Sequence, residues 1–485
     1  MPDSESGTVH VWVSQADTPS GVTVLTKRTN SSRSQTARAE KRAGDPQAWP
    51  IPVPSRAELT AAFAHGLDLC EGKEPGHAAR VCYIALNLAS AIDLPAAQQE
   101  TLYYAALLHD AGATLACAEL CRTLQITEES LFGAQAGMVP EQVAVRVAPA
   151  NPDGVVEALH AHPREGAQVA RALGFDAEVQ EAIATHHEWW DGEGYIAELK
   201  GERIPITGRL VAAADLIESL IATDPNPLAS RRNLESGLAE HSGSIIEPDL
   251  ARLAHLLVRS DTFWLGLHNS TLPDELASSF LDESTDADRS PADALTFAKV
   301  FARLGDAKGE HTEGHSERTA EIADQIAEAL AFDEGRRELL RVAALSHHVG
   351  LLGVPARVIA KPDILSLAEM ETMRRHPAYS QKVLEALPGM EEVAMWVGAH
   401  HERPDGKGYP EMLDDETIPL EARIISLADT YVALTSPRPY RDALSEEDAK
   451  QVLKGGAGTQ LDKKLVELVC SSTFSRSAPR SRQTR

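Results

Sequence analysis

The stretch HHERPDGKGYP, His400 to Pro410, decides how the rest of the chain is read. Two adjacent histidines close a helix-like segment, and an acidic, glycine-rich turn follows. Upstream, Val393, Trp396 and Val397 fall at i, i+3 and i+4, and His400 and His401 prolong that stripe toward the interior. A shorter version, HHEWWDGEGY, occupies His186 to Tyr195, where Val179, Ala182 and Ile183 lead into His186 and His187. A lone histidine on an apolar face is usually a hydrogen-bonded core residue. A doublet that recurs with the same turn behind it points to a metal held inside a helical bundle.

Working outward, both motifs belong to a duplication. GHAARV from Gly76 matches GHSERT from Gly314, and AALLHDAG from Ala105 matches AALSHHVG from Ala343. His77–His109 and His315–His347 are each 32 residues apart, His162–His186 and His376–His400 each 24, and His186–Asp215 and His400–Asp429 each 29. One interval differs: His109 to His162 is 53 residues and His347 to His376 is 29, so the first copy carries 24 extra residues between about Leu115 and Glu157. Matching spacings of this kind mark one structural unit used twice. The expected organisation is a structure-poor segment 1–50 with one alternating run, VHVWV, and then a first helical domain, 51–280. That domain opens on a capping box, Ser55-x-x-Glu58, and is periodic to about Arg259. An acidic linker, 281–292, a second helical domain, 293–472, and a basic tail, 473–485, follow. The expected fold class is all-α, two tandem helical bundles.

Composition narrows the function. The length of 485 residues allows two or three domains, and the low aromatic content, 5%, fits alanine- and leucine-rich helices. A formal net charge of −26 argues against nucleic-acid binding through the acidic body. The basic residues gather in Lys27 to Arg42 and Ser475 to Arg485, read as solubilising ends. Five cysteines in so long a chain make no disulfide framework, and Cys117 and Cys121 read as reduced core thiols. No apolar run reaches membrane-spanning length, and the N-terminus lacks the basic and apolar regions of a secretory signal. A cytoplasmic protein without membrane contact is expected.

The donors of the first copy are His77, His109, Asp110, His162, His186, His187 and Asp215. Five imidazoles and two carboxylates suit Fe, Mn, Zn or Ni better than Mg or Ca. Seven donors exceed the needs of one tetrahedral ion, so two divalent transition-metal ions are expected, with Asp110 as the bridge. Ions roughly 3.5–4 Å apart clamp the attacking and leaving oxygens of a phosphoryl displacement. The second copy offers His315, His347, His348, His376, His400, His401 and Asp429, with His348 where the first copy has Asp110. The Trp189-Trp190 pair reads as packing or a lid.

The pattern H…HD…HP…HHExxDGxGYP…D resembles the HD-GYP family, a helical branch of the HD phosphohydrolases. The resemblance covers about Arg56 to Val258 and Asp293 to Cys470. It implies hydrolysis of cyclic di-GMP or a related phosphodiester at a two- or three-metal centre, with His109 and Asp110 catalytic. It also implies a cyclic dinucleotide or other nucleotide as ligand, contacted by Tyr409, Arg438 and Arg441. The upstream acids Asp68 and Asp306 are further candidate ligands on the same ground. Each copy departs from the family pattern. HDxGK becomes HHVGL in the second copy, with His348 and Leu351. The first keeps His109-Asp110 but has Ala113 at the lysine place, Ile196 after Gly194-Tyr195, and Asp224-Pro225-Asn226-Pro227 where the second reads RPYR. Three readings stay open. One is a phosphodiesterase in signalling, another a non-catalytic nucleotide sensor acting on a protein partner, and the third a nucleotide phosphomonoesterase of the wider HD class. The complementary losses suggest hydrolysis in the first copy and nucleotide capture in the second.

Overall fold

The computed structural model describes residues 49, 51–70, 76–132, 137–195, 199–222, 227–280, 289–309, 312–437 and 442–471. The VHVWV run, residues 281–288 of the expected linker, Asp224 to Asn226, Arg438, Arg441 and the basic tail lie outside them. Among the described residues the secondary structure is helical, with only two isolated β-bridges and no strand. This is the all-α class that the periodicity predicts. None of these helices is long and apolar enough to cross a membrane.

The repeat is visible helix by helix. His77–Ala91 corresponds to His315–Ala329, Ala96–Leu108 to Glu334–Ser346, Ala177–Ala184 to Glu391–Gly398, and Ile206–Ala222 to Leu420–Thr435. Local chemistry explains the starts. The backbone N–H of Ser55 donates to Glu58 at 2.6 Å and that of Glu58 donates to the Ser55 hydroxyl at 3.1 Å, the capping box read from the sequence. The helices beginning at His77 and His315 follow left-handed glycines, Gly76 at φ 88° and Gly314 at φ 70°. Their unpaired N–H groups are met from upstream. Asp68 accepts from Gly76 and Ala78, and Asp306 from the Ser316 N–H and hydroxyl. These two acids therefore tie down the helices that carry His77 and His315, and neither belongs to the donor groups gathered around the histidines.

One glycine in each copy lets two segments approach closely. A Cβ on Gly112 would lie 2.0 Å from the carbonyl of His162, and a Cβ on Gly350 would lie 2.0 Å from that of His376. Only glycine fits, so the turn after His109-Asp110 can press against the middle of helix Pro152–Ala172 at His162, and the turn after His347-His348 against the start of helix His376–Glu385.

The extra residues of the first copy form the helices Glu128–Phe132 and Pro140–Val147, over a small core that includes Cys117, Cys121, Leu131, Val143 and Leu159. Both thiols are free and buried, as read. Beyond Arg259 the chain continues as Asp261–Leu267 and Leu272–Ser279, short helices that the periodicity did not announce, and the second half starts at Pro291 behind a Ser290 cap.

The two halves share one continuous apolar core. Helix Arg56–Cys70 lies between them, and its Phe63 packs on Phe297 and Phe301 with ring centroids 5.9 and 4.5 Å apart. A second joint is ionic. Lys308 Nζ lies 2.9 Å from Glu128 Oε1 with both side chains at most 2% exposed, and it donates to the Leu352 carbonyl at 2.7 Å. Glu128 also accepts from the Ala356 N–H at 3.2 Å. An ion pair so deeply buried holds only because every partner is in place.

Candidate metal centres

In the first half, five helices or helix ends bring the seven predicted donors to one place. Three imidazoles are aimed identically. Nδ1 of His109, His162 and His186 donates to the carbonyls of Ala106, Leu159 and Ile183, three residues earlier in each case, at 2.8, 3.3 and 2.6 Å. A carbonyl only accepts, so Nδ1 carries the proton and Nε2 turns a lone pair into the cluster. Asp110 stands among them. Its Oδ1 is 3.3 Å from His162 Nε2 and 3.9 Å from His186 Nε2, while its Oδ2 is 3.0 Å from His109 Nε2 and 3.8 Å from His77 Nε2. The donors divide accordingly into Asp110, His162, His186 and His187 on one side and His77, His109 and Asp215 on the other. A carboxylate with each oxygen facing a different donor group has the disposition of a bridging ligand, and each group has the donor types of a metal site.

Electrostatics sets the protonation of the rings. Burial drives the His186 imidazole down to about 3, assisted by His162 and His109, and pushes His187 far down as well. Burial also opposes charging of His109, but the Asp110 and Asp215 carboxylates outweigh it and hold this ring well above the ordinary histidine value. A cation among these residues would do the neutralising that a proton on His109 otherwise supplies.

Glu218 is a residue beside the cluster that the sequence reading missed. It is buried and holds His77 Nδ1 at 2.6 Å, and Arg80 in turn holds Glu218 at 2.6 and 2.8 Å. Burial would raise its carboxyl, but His77 and Arg80 bring it down to about 2. A carboxylate behind a ligating histidine fixes the ring and its tautomer. The signal was present as an acid three residues after Asp215 on the same helix, with Val432 at the matching place after Asp429.

The second half gathers its donors into His348, His376, His400 and His401, and into His315, His347, His348 and Asp429. His347, His376 and His400 repeat the Nδ1-to-carbonyl pattern, on Ala344, Met373 and Val397 at 2.7, 2.8 and 2.6 Å. Burial pushes His376 to about 3 and His347 to about 4, and pushes His348, His400 and His401 down. Among the described residues the side chain shared by the two groups is His348, not a carboxylate. His315 turns Nε2 onto Asp429 Oδ1 at 2.8 Å, and its buried Nδ1 has no hydrogen-bond partner. A carboxylate-bridged pair does not fit this half.

The motif turns brace both clusters. Glu402, beside His401, is buried and accepts from the N–H groups of Glu411 and Leu413 at 2.6 and 2.9 Å, and Glu188 accepts from Leu199 at 3.2 Å. Tyr409 lies on His401 with centroids 4.9 Å apart, Tyr195 stacks on His187 at 4.5 Å, and Arg374 stands over Tyr409. Trp189 packs against the core and also lines the cleft over the first cluster, and Trp190 faces Arg209. A cleft opens on the first cluster at Asp110, His186, His187 and Asp215. Phe132, Gly137 and Met138 of the extra segment form one of its walls.

The fold and the two clusters define an all-helical protein with tandem histidine-rich centres. The chain belongs to the HD domain family, whose model matches residues 117–239 and 299–465, more than half of its length. It is similar to 3′3′-cGAMP-specific phosphodiesterase 3 of Vibrio cholerae serotype O1, with 29% identity over 439 residues, 84% of this chain and 92% of that one. It is 38% identical over 161 residues to the cyclic di-GMP phosphodiesterase response regulator RpfG of Xanthomonas campestris pv. campestris, 32% of this chain and 42% of that one. Among solved structures it resembles the crystal structure of a cyclic GMP-AMP specific phosphodiesterase of V. cholerae. The TM-score is 0.61 at 26% identity, over 86% of this chain and 97% of that one.

Proposed function

We infer that the chain is a metal-dependent phosphodiesterase that hydrolyses a cyclic dinucleotide, with the chemistry at the first cluster. The observation that carries the location is the Asp110 carboxylate, whose two oxygens face two donor groups at the floor of a cleft. The reaction class is supported by the relatives, which are phosphodiesterases of 3′3′-cGAMP and cyclic di-GMP. Two divalent ions, of Fe, Mn, Zn or Ni type, would polarise the phosphate and lower the pKa of water toward about 7. The protein's own contributions are separate. Asp110 would hold both ions through its two oxygens, and the backbone carbonyls fix the ring tautomers. Glu218 holds His77, and Phe132, Met138 and Trp189 shield the cleft from bulk water. Among the described residues no lysine or arginine lines this cleft, so the ions would carry most of the phosphate charge there.

The test is incubation of the full chain with 3′3′-cGAMP, cyclic di-GMP or a nucleoside monophosphate in the presence of Mn2+ or Fe2+, with products followed by chromatography. A linear dinucleotide from either cyclic substrate is the expected result. Release of phosphate from the monophosphate alone would replace the reading with a phosphomonoesterase. The sensor reading is favoured by Ala113, Leu351 and His348, which stand where the family pattern has two lysines and an aspartate. Tight binding of a cyclic dinucleotide without turnover would establish it. Nucleotide capture is assigned to the second half through Tyr409, Arg438 and Arg441. Arg438→Ala with Arg441→Ala in the full chain is expected to weaken nucleotide binding by a few kcal/mol, at about 1.5–3 per charge-assisted contact. Metal content in the first half is expected to stay unchanged.

A further inference from the structure

We propose that the second cluster is a closed, single-ion site with an all-nitrogen shell. His348, His376, His400 and His401 would bind one late first-row ion of the Zn2+ class, in a structural and not a hydrolytic role. This rests on reading the chain as metal-dependent, and it departs from the two-ion pattern proposed for the first half.

The first ground is a pair of nitrogens. His376 Nε2 and His400 Nε2 lie 3.3 Å apart, both buried. Each ring already donates Nδ1–H to a carbonyl, at Met373 and Val397. Both Nε2 atoms are therefore bare acceptors in the neutral rings, and two lone pairs face each other with no proton to share. A cation between them resolves the conflict. Two nitrogens at about 2.0–2.1 Å from a tetrahedral ion stand about 3.3–3.4 Å apart, which is the separation found. The donor atoms of all four histidines lie within 4.8 Å of one another, and His348 adds a buried Nδ1 without a hydrogen-bond partner.

The second ground is the loss of the other half of a dinuclear site. In the first half Glu218 accepts a hydrogen bond from Nδ1 of His77, whose Nε2 faces Asp110 and Asp215 at 3.8 and 3.7 Å. The matching residue in the second half is Val432, whose side chain accepts no hydrogen bond. His315 instead turns Nε2 onto Asp429 at 2.8 Å. With His348 in place of a bridging carboxylate the bridge is lost: a neutral His348 ring has one lone pair to give, and the group of His315, His347 and Asp429 is left with its carboxylate engaged by His315. An imidazole-only shell favours Ni2+, Cu2+ or Zn2+ over Mn2+ and Fe2+. Four protein ligands leave no position for water, which is the mark of a structural site. The ion would fix the turn Val349–Gly353, whose Leu352 carbonyl receives Lys308, the partner of Glu128 in the extra segment.

The experiment uses the full chain with the first cluster disabled by His109→Ala and Asp110→Asn, stripped of metal and titrated with Co2+. One Co2+ per chain with the intense visible absorption of a tetrahedral nitrogen shell is expected. Adding His376→Gln should take the count from one ion to none. Adding His348→Asp instead should keep the ion and change its spectrum, because oxygen replaces nitrogen. Circular dichroism checks the fold, and if His376→Gln does not fold, the His348→Asp spectrum decides. A count of none or two, a six-coordinate spectrum, a count unmoved by His376→Gln, or a spectrum unmoved by His348→Asp overturns the proposal. Hydrolysis of 3′3′-cGAMP by the unaltered chain is scored separately. Its absence with the second-half ion present rejects only the phosphodiesterase reading, and its presence without that ion rejects only this inference.

Discussion

Asp110 and His348 stand at the same place in two copies of one bundle, and almost everything around them is alike. Each is preceded by a histidine whose Nδ1 is held by a carbonyl three residues back, at 2.8 Å for His109 and 2.7 Å for His347. Each is followed by a glycine that the next helix touches. The difference is one side chain, reinforced by a second, Glu218 against Val432. A carboxylate offers two oxygens to two ions and lowers the cost of holding them together, whereas a neutral imidazole offers one lone pair. The comparison teaches that duplication preserves the arrangement of histidines while two exchanges, Asp110 to His348 and Glu218 to Val432, change the donors it offers.

The sharpest way to break this comparison is to remove the bridge. Asp110→Asn is expected to cut cyclic-dinucleotide hydrolysis by about 10³-fold or more, the scale of losing a principal electrostatic group in a dry site. If His348→Ala proves as damaging in the same assay, the chemistry belongs to the other half. The joint between the halves is next. Lys308→Met leaves Glu128 buried without its cation and should destabilise the chain by about 3–5 kcal/mol in urea unfolding. Lys308→Met with Glu128→Leu should recover most of that loss. An unaltered midpoint in the single variant would mean that the halves do not depend on this pair.

Smaller effects sharpen the contrast. Glu218→Gln is expected to lower metal affinity at the first cluster by about 10–100-fold, as measured by competition with a chelator, because the ring of His77 loses its orienting partner. The smallest expected effect concerns Asp306. Burial raises this carboxyl to about 6 from its ordinary 3.8, with Ser316 opposing. A carboxyl raised in the folded state favours folding when protonated, so its contribution is full below the ordinary value and is lost as pH rises through about 6. In metal-free protein, Asp306→Asn should flatten that part of the stability–pH curve. An unchanged curve would show that Asp306 stays ionised in the fold.

Much of the fold was legible because its cues are local. Apolar stripes ending in His186–His187 and His400–His401, the Ser55–Glu58 box and equal histidine spacings all act over a few turns or repeat at fixed intervals. The donors were legible for the same reason, since a histidine closing an apolar stripe must point inward. What stayed hidden depends on partners far apart in the chain. His77 meets Glu218 across 141 residues, and Lys308 meets Glu128 across the joint between the halves. The extra segment read only as 24 added residues, yet it walls the cleft and anchors that joint.

Sequence by itself determined the helical class, the duplication and the two sets of metal-type side chains, because periodicity and spacing are properties of the chain. Tertiary structure alone decided that Asp110 turns its two oxygens to two donor groups, and that Asp68 and Asp306 serve helix starts. It also decided that His315 closes on Asp429 and that the two copies fold around one core. Those outcomes depend on which atoms come within hydrogen-bonding or packing distance, and only the folded chain sets those distances.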